Sequence, residues 1–494
     1  MKRKKLLSII VALIAVALWT LGFLSRYHGR DPESSVVLPA QTDASGANAA
    51  SSPAPISSGA TAPGLQSDFA TAPGLQSDSA TAPGLQSDSA PAASPGLSAE
   101  QSQAPNDLSP APGDVSAPDD VPASDGAIPE AAPRPQARDL TGFLTAGLSD
   151  GTSASALLDR DYVTKRAINA GTSLEISAPE DIYSLYFIWD LPPGEWRLSS
   201  SGIQSCGSNG FIHEYIELSS PAREITALLP PNGSTLCDVY AFSDGAAPEW
   251  VQTWRPPWDE ADLLALPTHA DDEHLYFVGV LPYYAGELGY KVQVAYLTNH
   301  WNEPPRPHEL LNGLWTVGIR NYPVISNFND RYADTLQEAQ AIYGLDNIVD
   351  YQVELLRRFK PLVVVGHDPG GEYGHGVHML NAYALRIAVV NAADSAYAPA
   401  SYEQYGAWDV PKLYLHLLSE NAITMDWDVP LDNFDGATAR DLAVAGYACH
   451  LSQQHWAFAV PRNGPTGQKF GLARSLVGPD IIGGDMFENI ETRY

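Results

Sequence analysis

Two clusters of histidines and carboxylates, about a hundred residues apart, carry the residue types that metal-assisted hydrolysis needs. The first is Pro267-Thr268-His269-Ala270-Asp271-Asp272-Glu273. The second is Gly371-Glu372-Tyr373-Gly374-His375-Gly376-Val377-His378. Neither holds a full ligand set alone. Together they supply His269, Asp272 and His378 as three N/O ligands and leave Asp271 free as a base. Three such ligands with an open fourth position are the pattern of catalytic rather than structural zinc. Ligands of this type also accept other divalent ions. Two adjacent aspartates crowd one dication, so one ligates and the other takes a proton from water, whose pKa a zinc ion lowers to about 7. His375 and His378 stand at i and i+3 in the first turn of an expected helix and share a face. One of them binds metal while the other points at the reacting atom.

The elements that must position these clusters are read from the hydrophobic pattern. From about residue 261 strands and helices alternate. Strands are expected at 263–266, 291–298, 361–366 and 410–418, and helices at 275–288, 347–360, 375–393 and 437–454. This rhythm predicts an α/β domain, a Rossmann-like and mostly parallel sheet with helices on both faces. The first cluster follows the strand at 263–266 and the second follows that at 361–366. Ligands bind beyond the carboxyl ends of strands in such sheets, so both clusters fall on one rim. His367 follows its strand directly and is expected to back the site. His274 and His300 are read as solvated neighbours, and His213, His308, His416 and His455 as ordinary core or surface residues. Tyr283, Tyr284, Trp301 and Trp315 form either a sugar-stacking wall or part of the core.

Upstream, residues 138–255 carry short apolar runs separated by Pro-Pro-Gly, Gly-Ser-Asn-Gly and Pro-Pro-Asn-Gly turns, the pattern of a small all-β sandwich. Such a module is either inert or a contact for cell-wall glycan. Residues 31–137 are rich in Ala, Pro, Ser, Gly and Asp, and they repeat TAPGLQSDFA, TAPGLQSDSA and TAPGLQSDSA from Thr61. Each repeat offers one leucine and too little else to build a core, so a disordered spacer is expected. Residues 1–30 hold Lys2-Arg3-Lys4-Lys5 and then an apolar run over 6–24. As a helix that run would be roughly 28 Å long, near the thickness of a bilayer core. We expect a retained single-pass membrane anchor with the C-terminal domains exported. Cleavage of that segment would instead make the protein secreted. The 494 residues carry a formal net charge of −30, which argues against a nucleic-acid partner. Three cysteines without a Cys-x-x-Cys pair argue against thiolate zinc.

The segment from about 258 to 460 resembles the PIG-L/LmbE family of zinc-dependent N-deacetylases. That family includes de-N-acetylases of N-acetylglucosaminyl-phosphatidylinositol and of mycothiol and bacillithiol precursors. The resemblance rests on His269–Glu273, on Gly371–His378 and on His450-Leu-Ser-Gln453. It implies Zn²⁺ on His269, Asp272 and His378, with Asp271 as general base. It implies that His375 protonates the leaving amine or steadies the tetrahedral intermediate, that Tyr373 polarises the acetyl carbonyl, and that Arg306 and Glu309 contact substrate. Two positions depart from the family: Ala270 replaces a proline, and Val377 replaces an aspartate before the last histidine. The expected activity is removal of an N-acetyl group from an N-acetylated amino-sugar substrate at the cell surface. The alternative is a catalytically weak or inactive glycan-binding protein on the same fold.

Overall fold

The computed structural model describes residues 134–491 and 493. The expected anchor and the decapeptide repeats lie outside them. Among the described residues no helix is long and apolar enough to cross a membrane. The fold is mixed α/β, with two seven-stranded sheets.

The first sheet contains β1 (Thr145–Leu148), β2 (Arg166–Ile168), β3 (Ser173–Trp189), β4 (Trp196–Ser199), β5 (Ile203–Cys206), β6 (His213–Leu228) and β7 (Ser234–Phe242). Its order is β2-β7-β3-β6-β4-β5, with β1 also on β3. The long antiparallel pair β3–β6 shifts register between Ser177 and Ile182, and this bulge divides it. Before the bulge β3 pairs with β1, and after it with β7. Inward residues from both halves, Leu174 and Ile176 with Leu185, Phe187 and Trp189, join one apolar cluster. Two of the short apolar runs of this region, at 211–218 and 224–229, belong largely to the single strand β6. Ser219-Ser220-Pro221 is carried along that strand rather than forming a turn. Cys206 and Cys237 are buried free thiols.

The second sheet contains β8 (Leu263–Ala265), β9 (Val292–Tyr296), β10 (Val324–Ile325), β11 (Val363–Gly366), β12 (Lys412–His416), β13 (Ala422–Thr424) and β14 (Lys469–Ser475). Its order is β10-β9-β8-β11-β12-β14-β13. The first five strands are parallel, and β14 joins β12 and β13 antiparallel. Alternate residues of one strand serve opposite faces. Leu263, Ala265, Val363 and Val365 join one cluster, while Leu264 and Val364 join the other. The helices Leu345–Phe359 and Gly376–Asn391 pack on the second face, and Pro305–Thr316 and Ala439–Ala448 on the first. Continuous burial of β8, β9, β11 and β12 explains why they read as unbroken apolar runs. In Leu345–Phe359 the buried Ile348, Val349, Gln352, Val353, Leu356 and Phe359 follow the helical period. Lys360 ends it in a left-handed conformation before Pro361.

Two expected helices differ. The helix expected at 275–288 is a short turn at Asp272–Leu275 and a π-helical turn at Pro282–Glu287. Val278 has φ +47°, and Gly279 lies so close to Trp427 that a Cβ there would meet its ring at 2.3 Å. The helix expected at 437–454 stops at Ala448, and a 3₁₀ turn, Leu451–Trp456, follows.

The β region packs directly on the α/β region. Phe211 stacks on Tyr322 with centroids 4.5 Å apart. His213 Nε2 lies 2.9 Å from His308 Nδ1, and Tyr186 Oη lies 2.6 Å from His213 Nδ1.

Candidate active site

Strand order turns at the centre of the second sheet. From β8 the chain crosses to β9 on one side, and from β11 to β12 on the other. The loops after β8 and β11 therefore diverge and leave a crevice at their carboxyl ends. Both sequence clusters stand there.

Asp272 opens the Asp272–Leu275 turn and is 2% exposed. Its Oδ2 accepts the backbone N–H groups of His269 at 2.7 Å and Thr268 at 3.1 Å, so the loop holds the carboxylate in place. The same oxygen lies 3.3 Å from His269 Nδ1 and 3.2 Å from His378 Nε2. Those two nitrogens are 2.9 Å apart. Donors around a tetrahedral ion with bonds of about 2.0–2.1 Å are separated by about 3.3 Å, so these three atoms fit one divalent metal. His375 caps the Gly376–Asn391 helix, and with His269 and His378 it forms a further trio of donors within 4.8 Å. Its Nδ1 is buried without a partner.

The electrostatics favour positive charge at the centre. Burial alone would lower the His269 pKa, but Asp330 and Asp272 raise it to about 10. Burial alone would raise Asp272, but His378, His367 and His269 hold it well below the usual carboxylate range. Asp271 is pushed up instead, by burial and then by the charge of Asp272, with Arg306 opposing. Asp271 has φ +126°, a conformation side chains rarely adopt, and its N–H donates to Glu273 Oε2 at 3.1 Å. His375 is pushed down to about 3, by burial first and then by His269 and His378.

Tyr373 is 51% exposed beside this centre, and the Arg462 guanidinium lies 4.2 Å from its ring centroid. Arg306 is buried. Its Nη2 donates to Ala270 O at 2.8 Å and lies 3.9 Å from Asp271 Oδ1, while its Nε has no partner. Glu309, expected to contact substrate, is 1% exposed, and its carboxylate accepts from Ser452 N at 2.8 Å and Ser452 Oγ at 2.5 Å. It braces the turn after the Ala439–Ala448 helix rather than facing the crevice.

Asp330 and His416 gain roles that were not read from sequence, while His367 stands behind Asp272 as its position after β11 suggested. Asp330 Oδ1 lies 3.2 Å from His269 Nε2 and orients that ring. Its only sequence signal is a carboxylate shortly after β10, on the same rim. His367 Nε2 lies 3.3 Å from Asp272 Oδ2, and its Nδ1 lies 3.0 Å from Glu372 Oε1. His416, read as an ordinary residue, lies 2.7 Å from Glu372 Oε2 and 3.2 Å from Gly467 O. A buried chain thus supports Asp272 from behind. His274 and His300, read as solvated, are 0% and 5% exposed. Among the four aromatics, Tyr284 packs against Phe487 and Trp315 against Trp254. Trp301 instead lines two adjoining cavities, one reaching Ala270 and Arg306 and the other Asn209 and Phe211.

No family model matches the chain. It is similar to "1D-myo-inositol 2-acetamido-2-deoxy-alpha-D-glucopyranoside deacetylase 2" of Saccharopolyspora erythraea, 36% identical over 96 residues, which are 19% of this chain and 34% of that protein. The enzyme of that name without a number, from Rhodococcus erythropolis, is 29% identical over 154 residues, 27% of this chain and 50% of its own. The chain thus spans half or less of the length of these curated relatives. Among solved structures, the N,N'-diacetylchitobiose deacetylase from Pyrococcus horikoshii aligns with a TM-score of 0.30 at 16% identity, over 40% of this chain and 72% of that one.

Proposed function

We propose that the protein is a metal-dependent hydrolase that removes the N-acetyl group from an N-acetylglucosamine-type amino sugar or glycoconjugate at the cell surface. The observation that carries this is the convergence of His269 Nδ1, Asp272 Oδ2 and His378 Nε2 within 3.3 Å of one another, with Asp271 beside them. The names of the two relatives support the acetamido-sugar class. Zn²⁺, or another divalent ion on those three residues, would supply Lewis acidity and a water of lowered pKa.

The chain's own groups account for the proton movements. Asp271, raised by burial and by Asp272, takes a proton from the attacking water and returns it to the departing nitrogen. His375, held down to about 3, stays neutral and donates an N–H to the oxyanion rather than serving as the acid. Tyr373, exposed and with its ring centroid 5.8 Å from those of His375 and His378, would donate its hydroxyl to the acetyl carbonyl. Arg306 holds the Ala270 carbonyl and stands near Asp271, so it acts first on the geometry of the base. Placement at the cell surface rests on the basic and apolar N-terminal segment of the sequence.

The test is acetate release from N-acetylglucosamine-containing glycosides and oligosaccharides, with and without chelator, and with Asp271→Asn as control. Release abolished by chelator and by the variant is expected. A protein that binds no divalent metal, and whose hydrolysis survives Asp271→Asn, would overturn the reading. Val377 motivates the rival of an inactive glycan binder: it is 0% exposed and leaves His375 without an adjacent carboxylate. Glycan binding indifferent to chelator, with no acetate released, would favour that rival.

A further inference from the structure

On the inner side of the loop that carries Asp271 and Asp272, a second group of donors meets in the core. Glu273, His274 and His450 are each 0% exposed. Glu273 Oε1 lies 3.3 Å from His274 Nε2 and 3.7 Å from His450 Nε2. These three atoms, which face one another, have no hydrogen-bond partner, and neither does Nδ1 of either histidine. Buried polar atoms in folded proteins are nearly always satisfied, so five orphans in one place need an explanation. Hydrogen bonds within the trio do not provide it, because charge-assisted N–H···O contacts run at about 2.7–2.9 Å. A cation accepts lone pairs from all three donors at once. The two contacts of Glu273 Oε1, at 3.3 and 3.7 Å, lie at and somewhat above the separation of about 3.3 Å expected between ligands of zinc with bonds of about 2.0–2.1 Å, and all three donor atoms lie within 4.8 Å of one another.

Two glycines keep the place clear. A Cβ at Gly313 would lie 2.5 Å from His274 Nε2 and 2.9 Å from His450 Nε2, directly against the two nitrogens. A Cβ at Gly446 would lie 2.4 Å from His274 Cε1.

We propose that Glu273, His274 and His450 form a second metal site, structural in role, that takes a divalent ion with N/O preference such as Zn²⁺. The ion would tie the loop after β8 to the end of the Ala439–Ala448 helix. Glu273 would then hold Asp271 in its unusual backbone conformation through the Asp271 N–H. Being fully buried, it would exchange slowly with chelators, unlike an ion in the open crevice.

The experiment counts metal equivalents in the full-length protein by elemental analysis and native mass spectrometry. The wild type is expected to hold two. Asp272→Asn should keep one, His450→Asn should keep one, and the double variant none. A single equivalent in the wild type, lost with Asp272→Asn and indifferent to His450→Asn, overturns the proposal. If His450→Asn fails to fold, titration of metal-free wild type with Co²⁺ decides. Two equivalents with separable d–d spectra support the site, and saturation at one overturns it. Loss of the catalytic reading alone would remove the equivalent that depends on Asp272 and leave the one that depends on His450.

Discussion

Asp271 and Asp272 are neighbours of the same type, yet their surroundings divide them. Three histidines keep Asp272 ionised, while burial and the adjacent charge raise Asp271. Asp271→Asn should therefore lower kcat by about 10²–10⁴-fold while metal content is unchanged. Steady-state acetate release and elemental analysis of one preparation check both halves. Asp272→Asn or His378→Asn should instead lose the metal equivalent held by His269, Asp272 and His378. Tyr373→Phe removes the hydroxyl but keeps the ring under Arg462, so a kcat loss of about 10²-fold is expected. A change confined to KM would show that Tyr373 only helps bind the sugar. The candidate ligands and candidate base could be singled out because two short motifs group their residue types. Asp330, His416 and the Glu273–His274–His450 group were not, because their partners lie far along the chain.

At the level of elements, the site depends on how the Gly376–Asn391 helix meets the loop after β10. A Cβ on Gly376 would lie 2.2 Å from Thr335 O and 2.6 Å from its carbonyl carbon. Gly376→Ala must push the first turn of that helix, which bears His375 and His378, away from Asp272. We expect a stability loss of about 1–3 kcal/mol, read by denaturant titration. Metal affinity should fall further than His375→Asn alone would lower it, read by competition with a chromophoric chelator. Equal metal affinity in Gly376→Ala and wild type would mean that the helix start is not what aligns His378. Periodicity placed this helix and the buried strands well. It misread 275–288, where Val278, Gly279 and Pro282 break an otherwise apolar stretch against Trp427.

Across the described residues, the first sheet is joined to the Pro305–Thr316 helix of the α/β region by the Tyr186–His213–His308 chain. His308 is 1% exposed, and burial lowers its pKa to about 4, with Asp190 opposing and Lys165 assisting. His213 is pushed down as well, by burial and by His308. Each folded-state pKa lies below the unfolded value of 6.5, so between the two the unfolded chain binds a proton that the folded chain does not. Stability from His308 is therefore complete above pH 6.5 and falls as the pH drops toward 4. The gap corresponds to about 3 kcal/mol. Thermal melts at pH 7 and pH 5 should show a drop that His308→Phe makes shallower. An unchanged pH dependence in that variant would place the acid sensitivity elsewhere.

The sequence by itself determined the set of candidate ligand residues, the alternation of strand and helix, and the turn-rich β region, because each is written in residue type and short-range period. It also placed both clusters directly after strands, where a crevice forms if those strands become neighbours. That β8 and β11 are neighbours, that Asp330 reaches His269, and that His450 comes to lie against Glu273 was decided only by tertiary structure. The physical reason is range. Local propensity and periodicity act over a few residues, whereas strand order and buried polar contacts follow from packing the whole chain around shared cores.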